Sequence, residues 1–142
     1  MNLRFTISLH EVGNAFTRDG DHLDWFFQLD ANPESPVACF STAIDVDLSV
    51  LDSSTILISA TRLPDHRAAY LDYDGEVSGN RGSVTRLATG HFEWISKTQP
   101  ESRVILHSIE PILPKPSVPL TDRGLALLNR LRERSIVVLE NT

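Results

Sequence analysis

Leu3-Arg4-Phe5-Thr6-Ile7-Ser8-Leu9-His10 and His22-Leu23-Asp24-Trp25-Phe26-Phe27-Gln28-Leu29-Asp30 decide the fold. In the first stretch Leu3, Phe5, Ile7 and Leu9 fall on one face, and Arg4, Thr6, Ser8 and His10 on the other. In the second, Leu23, Trp25, Phe27 and Leu29 share one face, with His22, Asp24, Phe26, Gln28 and Asp30 opposite. A period of two marks a β-strand with one side turned to a core. Between them lie Gly13, Asn14, Asp19, Gly20 and Asp21, all turn formers. The two stretches read as half-buried strands separated by a loop.

The same pattern recurs along the next eighty residues. Residues 37–42 form a short strand candidate after the loop Asn32-Pro33-Glu34-Ser35-Pro36. Residues 43–54 carry no clear period and read as irregular. Residues 55–62 are rich in β-formers and end at the break Leu63-Pro64-Asp65. Residues 70–73 read as a short strand, and residues 75–82 as a loop with three glycines. Residues 83–88 and 92–96 read as a hairpin joined through Thr89-Gly90-His91. Residues 103–109 supply another strand. About seven to eight short strands with frequent turns predict an all-β domain, a compact barrel or a sandwich.

The last third differs. Pro111, Pro114, Pro116 and Pro119 predict an extended, stiff connection. Thr121 or Asp122 is placed to cap a helix in which Leu125, Leu128 and Leu131 recur at helical spacing. Residues 135–139 suit a final strand. The expected organisation is a β-barrel domain over residues 1–110, and a tail over residues 111–142 whose helix and strand pack on it as an appendage.

The chain has 142 residues, enough for one domain with a substantial core. No apolar run is long enough to span a bilayer, and residues 1–5 lack a signal peptide's apolar stretch. Cys39 is the single cysteine, which excludes an internal disulfide and a multi-cysteine zinc site. A cytoplasmic protein without a membrane partner is the expectation. The net charge of −6 argues against a protein that holds long nucleic acid by its phosphates. Contact with nucleic acid would be local, at an end or a single phosphate.

Some residues suggest chemistry. His22 and Asp24, two apart on a strand, share a face and suit one divalent ion, although most such pairs are surface pairs. His10 lies at the end of the first strand. If the two strands pair antiparallel, it joins them in a His/His/Asp set of the kind that holds a catalytic metal. His66 follows a Pro-Asp turn and suits either phosphate contact or a surface pair with Asp65. Asp72, Asp74 and Glu76 share a face that could bind a cation, although the simpler reading is a solvated strand side. His91 reads as exposed and His107 as structural. Trp25, Trp94 and Cys39 read as core. Gly79-Asn80-Arg81-Gly82-Ser83 lacks the Gly-Lys-Ser/Thr ending of a phosphate-binding P-loop.

His22-Leu23-Asp24, then His66 and Tyr70, then Leu71-Asp72-Tyr73-Asp74-Gly75-Glu76-Val77-Ser78-Gly79-Asn80-Arg81-Gly82-Ser83-Val84 together resemble the 3′-phosphoesterase domain of bacterial DNA ligase D, in its short stand-alone form. The resemblance covers roughly residues 3–110, and residues 65–84 are its most specific part. It implies a compact β-barrel with a concave site. It implies a divalent metal, manganese first and zinc second, on His10, His22 and Asp24. It implies that His66 and Tyr70 hold the phosphate as catalytic residues.

The activity so implied removes a 3′-terminal ribonucleotide and then a 3′-phosphate, leaving a 3′-hydroxyl for end repair. DNA or RNA–DNA 3′ ends are the implied partners, with repair proteins as further candidates. The chain also departs from the pattern. Phe26 stands where the family has an arginine two residues after the Asp, and a second arginine position falls near Ile58, with Arg62, Arg67 and Arg81 as candidates to replace them. The spacing from His10 to His22 is longer than the family's, and the glycine-rich turn is shorter. A non-catalytic relative that binds nucleic-acid ends or a protein is the alternative. A β-sandwich unrelated to that family, with scattered histidines, is a third.

Overall fold

The computed structural model describes residues 2–12, 20–79, 81–112, 122–133 and 135–141. Nine strands and one helix are present among them: β1 (Leu3–Glu11), β2 (His22–Gln28), β3 (Val37–Ala43), β4 (Leu48–Val50), β5 (Thr55–His66), β6 (Gly75–Glu76), β7 (Ser83–Ser96), β8 (Glu101–Pro111), α1 (Asp122–Glu133) and β9 (Ile136–Asn141). Seven strands close a barrel in the order β1-β2-β3-β5-β9-β8-β7, and β7 pairs back onto β1. Closure leaves no open edge in the ring, which removes the unpaired backbone an open sheet exposes. β4 adds to β5 and β6 to β7 outside the ring. All pairings are antiparallel except β5 with β9. The expected all-β barrel is therefore present, and α1 is too short to cross a membrane.

The tail is more than an appendage. β9 lies between β5 and β8 and completes the ring, so residues 1–110 alone leave a gap in it. Its Val137 and Leu139 join the core, as do Leu127, Leu128 and Leu131 of α1. The stripe expected from Leu125, Leu128 and Leu131 is thus seen at its last two positions, while the Leu125 side chain lies outside those described. Pro114, Pro116, Pro119 and the Thr121 cap also fall outside the described residues, as do Gly13, Asn14 and Asp19 of the first loop.

The barrel interior takes the apolar face of the alternating strands. Phe5 stacks on Phe27 at 5.9 Å between ring centroids, and Phe92 meets Phe27 edge-on at 5.0 Å. Trp25 is buried there and donates its indole N–H to Thr42 Oγ1. Each fully buried ring of this kind contributes about 1.5–3 kcal/mol by area removed from water.

The opposite face of β1 and β2 was expected to meet solvent. It is buried as well. Thr6 and Ser8 are fully buried, and Phe26 packs with Val37, Cys39 and Leu71 in a second cluster. The cover is a 3-10 turn, Ala68–Leu71, which replaces the strand expected over residues 70–73. Thr6 Oγ1 donates to the Leu71 carbonyl at 2.8 Å and ties the turn down. Arg4 grips Asp72 with two nitrogens, at 2.6 and 3.1 Å, and Arg86 reaches Asp74 at 2.9 Å. The carboxylates of residues 72–74 are thus structural clamps, not a free acidic face.

Three further expectations need correction. No hairpin turns at Thr89-Gly90-His91, because β7 runs unbroken through it and pairs with both β1 and β8. Gly90 is there for close approach: a Cβ on it would sit 2.0 Å from the Ser108 carbonyl oxygen and 2.8 Å from the Phe5 ring. β5 likewise continues past Pro64 to His66. Its pairing with β3 shifts register between Val37 and Cys39, so Pro64 falls at an irregularity where no ladder N–H is demanded. Within residues 43–54 the short strand β4 forms against β5.

Gly90→Ala is expected to destabilise the barrel by about 1–3 kcal/mol in urea unfolding, since backbone atoms block the new methyl group. The hydrogen bonds and charge of Arg4 hold the Asp72 carboxyl below its usual range, against a small cost of burial. A depressed carboxylate adds stability above its unfolded pKa and loses it as pH falls through the folded value. Asp72→Asn should therefore cost up to about 1 kcal/mol at pH 7, limited by solvent screening, and the gap to wild type should close below about pH 3.9.

Candidate metal centre

The β1–β2 register sets His10 directly opposite His22, and Ser8 directly opposite Asp24. Opposed residues share a face, as do residues two apart on one strand. His10, His22 and Asp24 are therefore brought to one point. The imidazole centroids are 4.7 Å apart. His10 Nδ1 is 3.2 Å from Asp24 Oδ2, and His22 Nε2 is 3.2 Å from Asp24 Oδ1. One candidate ligand atom from each residue lies within 4.8 Å of the others.

Each ring is oriented by a backbone carbonyl behind it. His10 Nε2 donates to the Arg81 carbonyl at 2.7 Å, and His22 Nδ1 to the Gly20 carbonyl at 3.1 Å. A carbonyl only accepts, so those nitrogens carry the hydrogen. In the neutral rings the inner nitrogens then present lone pairs toward the ionised Asp24. Three acceptors facing one another are stable only with positive charge between them, from protons on the rings or from a cation. Carbonyls behind both histidines are the outer-shell arrangement that would fix a metal-binding tautomer.

The carboxylate adds to this picture. Asp24 is only 4% exposed, and among the described residues its Oδ1 makes no well-formed hydrogen bond, although His22 Nε2 lies 3.2 Å away. An unsatisfied buried carboxylate oxygen costs on the order of 1–3 kcal/mol or more. Burial pushes the Asp24 carboxyl up, but the His10 and His22 rings beside it outweigh that and hold the group below its ordinary range. Ser8 Oγ, across the strand pair, is also buried and has no hydrogen-bond partner among the described residues. The donor set of two imidazoles and one carboxylate suits zinc or manganese.

The three residues line a groove of about 740 Å³, within the range of small-molecule sites. His66 and Tyr70 line the same groove. They flank Phe26, whose ring centroid is 5.6 Å from that of His66 and 5.7 Å from that of Tyr70. Phe26 is two residues beyond Asp24, one strand repeat of roughly 6.8 Å. His66 Nδ1 donates to the Pro64 carbonyl at 2.8 Å, so Nε2 is the nitrogen left for chemistry. Tyr70 is half-buried at the groove.

Other residues fall elsewhere. Phe26 is buried as groove floor, and Ile58 is buried inside the barrel. Arg62 is spent on Asp65 and on the carbonyls of Cys39 and Leu63. His91 contacts Ser108 from mid-strand, and His107 sits 3.6 Å from Glu93. Cys39 is buried, and burial raises its thiol pKa. Arg81, with Arg62 and Arg67 a sequence candidate to replace the family's arginines, lines the groove, whereas the Gly20 carbonyl and Asp21 and Asp47 on the groove wall were not singled out from the sequence. Ser8 was within reach, since alternation already placed it two residues from His10. No protein-family model matches the chain, and no curated protein matches it.

Manganese or zinc at a hundredfold excess over Kd is expected to stabilise the protein by about 2.7 kcal/mol, seen as a rise in Tm of several degrees. Asp24→Asn and His22→Ala should both abolish that rise. Because the ligands must shed protons, metal affinity in wild type should fall as pH is lowered.

Proposed function

We propose that this protein is a divalent-metal-dependent phosphoesterase that acts on 3′-phosphate or 3′-ribonucleotide ends of DNA. One observation carries the reading. His10, His22, Asp24, His66 and Tyr70, the residues singled out by the resemblance to ligase D 3′-phosphoesterase domains, line one groove although they span 61 positions of the chain.

His10, His22 and Asp24 would hold the ion, with manganese preferred and zinc second. Bound there, it would supply Lewis-acid charge for a phosphoryl group. His66, its Nδ1 hydrogen committed to Pro64, holds or releases a proton at Nε2 and so serves as general acid or base. Tyr70 offers a hydroxyl donor to a phosphoryl oxygen. The net charge of −6 confines contact to the terminal nucleotide, because a long phosphate track would be repelled.

A second reading has its own support. Phe26, buried between His66 and Tyr70, leaves an apolar floor where the family's arginine would grip phosphate. A barrel that binds ends or a protein without cleaving them fits that floor. Release of the 3′-phosphate or 3′-ribonucleotide from a primer–template separates the two. The phosphoesterase reading expects release that requires manganese and falls by about 10²–10⁴-fold in His66→Ala. Manganese binding with no release from either end would favour the binding module.

A further inference from the structure

Arg81 stands out once the other cations are assigned. Arg62 is engaged by Asp65 and two carbonyls, Arg4 by Asp72, and Arg86 by Asp74 and Asp72. Arg67 lies over the Tyr70 ring, 5.9 Å from its centroid. Among the described residues that line the groove, Arg81 is the one Arg or Lys.

Its local structure presents it there. The β6–β7 turn closes through Val77 N–H donating to the Gly82 carbonyl at 2.8 Å. Gly79 and Gly82, at φ of 75° and 88°, take left-handed conformations that side chains rarely adopt. Arg81 thereby borders the site. Its carbonyl accepts from His10 Nε2, and the residue is part of the groove lining.

Two guanidinium contacts are internal: Nε to the Ser78 carbonyl at 2.7 Å and Nη2 to Ser78 Oγ at 3.1 Å. They restrain the side chain. No carboxylate among the described residues pairs with it. A guanidinium has five N–H donors, so three remain for a ligand, in a planar fork that fits a tetrahedral oxyanion.

We propose that Arg81 is the residue with which this chain binds the anionic group of its substrate. The substrate class, a phosphate ester, rests on the phosphoesterase reading; the anion site rests on Arg81 itself. The same residue joins the two halves of the site, its backbone orienting His10 and its side chain receiving the anion.

The division predicts a clean separation by mutation, because Arg81→Ala keeps the carbonyl. The probe is inorganic sulfate, a tetrahedral dianion that leaves manganese in solution, titrated calorimetrically into manganese-loaded protein. Arg81→Ala should weaken sulfate binding by about tenfold or more while manganese affinity stays within about threefold of wild type. Arg81→Lys should recover only part of the loss, since an ammonium lacks the planar fork.

Equal sulfate affinity in wild type and Arg81→Ala would overturn the proposal, as would no sulfate binding in wild type. A parallel loss of manganese affinity would make Arg81 a support for His10 alone, which also overturns it. Arg81-dependent sulfate binding without ester hydrolysis would sink the phosphoesterase reading and leave the anion site standing. Hydrolysis with unchanged KM and sulfate affinity in Arg81→Ala would do the reverse.

Discussion

The register between β1 and β2 is the constraint on which the site depends. Sliding β2 by one residue would turn His22 and Asp24 into the barrel interior and Trp25 out of it. The large apolar side chains of the inner face forbid that slip, so core packing fixes the position of the polar residues on the other side. His10 and His22 are held opposite one another by the same ladder that buries Leu9 and Leu23. The cluster of three mutually facing acceptors is therefore imposed by the barrel and does not depend on loop conformation for its position.

What lies around that cluster comes from farther along the chain. The barrel closes between β7 and β1, which brings the β6–β7 turn and Arg81 against His10. The 3-10 turn that carries Tyr70 is tied to β1 through Thr6 and through the Arg4–Asp72 pair. Phe26 joins the structural and chemical roles, because it caps the second apolar cluster and also floors the groove. An arginine at that position would have to leave a buried aromatic environment to reach a ligand. Arg81 is the one Arg or Lys among the described residues that line the same groove.

Much of this was legible in the sequence. The period of two in residues 3–10 and 22–30 gives the strands, their inner face and the His/His/Asp set, since i and i+2 geometry is local. Elements set by long-range packing were not legible. Gly90 reads as a turn former, yet the glycine is required by the Ser108 backbone beside it. Pro64 reads as a strand break but is absorbed at a register shift. The tail reads as an addition, whereas β9 enters the ring in parallel with a strand some eighty residues earlier, a pairing that no local signal announces. The carbonyls behind His10 and His22 were hidden for the same reason, as backbone groups leave no mark in sequence.

The central claim is that His10, His22 and Asp24 converge because a cation belongs among them. A crystal soaked in manganese, with anomalous scattering recorded at the manganese edge, tests it most directly. The account predicts one peak about 2.2 Å from His10 Nδ1, His22 Nε2 and an Asp24 oxygen, with the outer nitrogens still on the Arg81 and Gly20 carbonyls. Absence of a peak at that point in a crystal saturated with the ion, or a peak bound through the outer nitrogens, would contradict it.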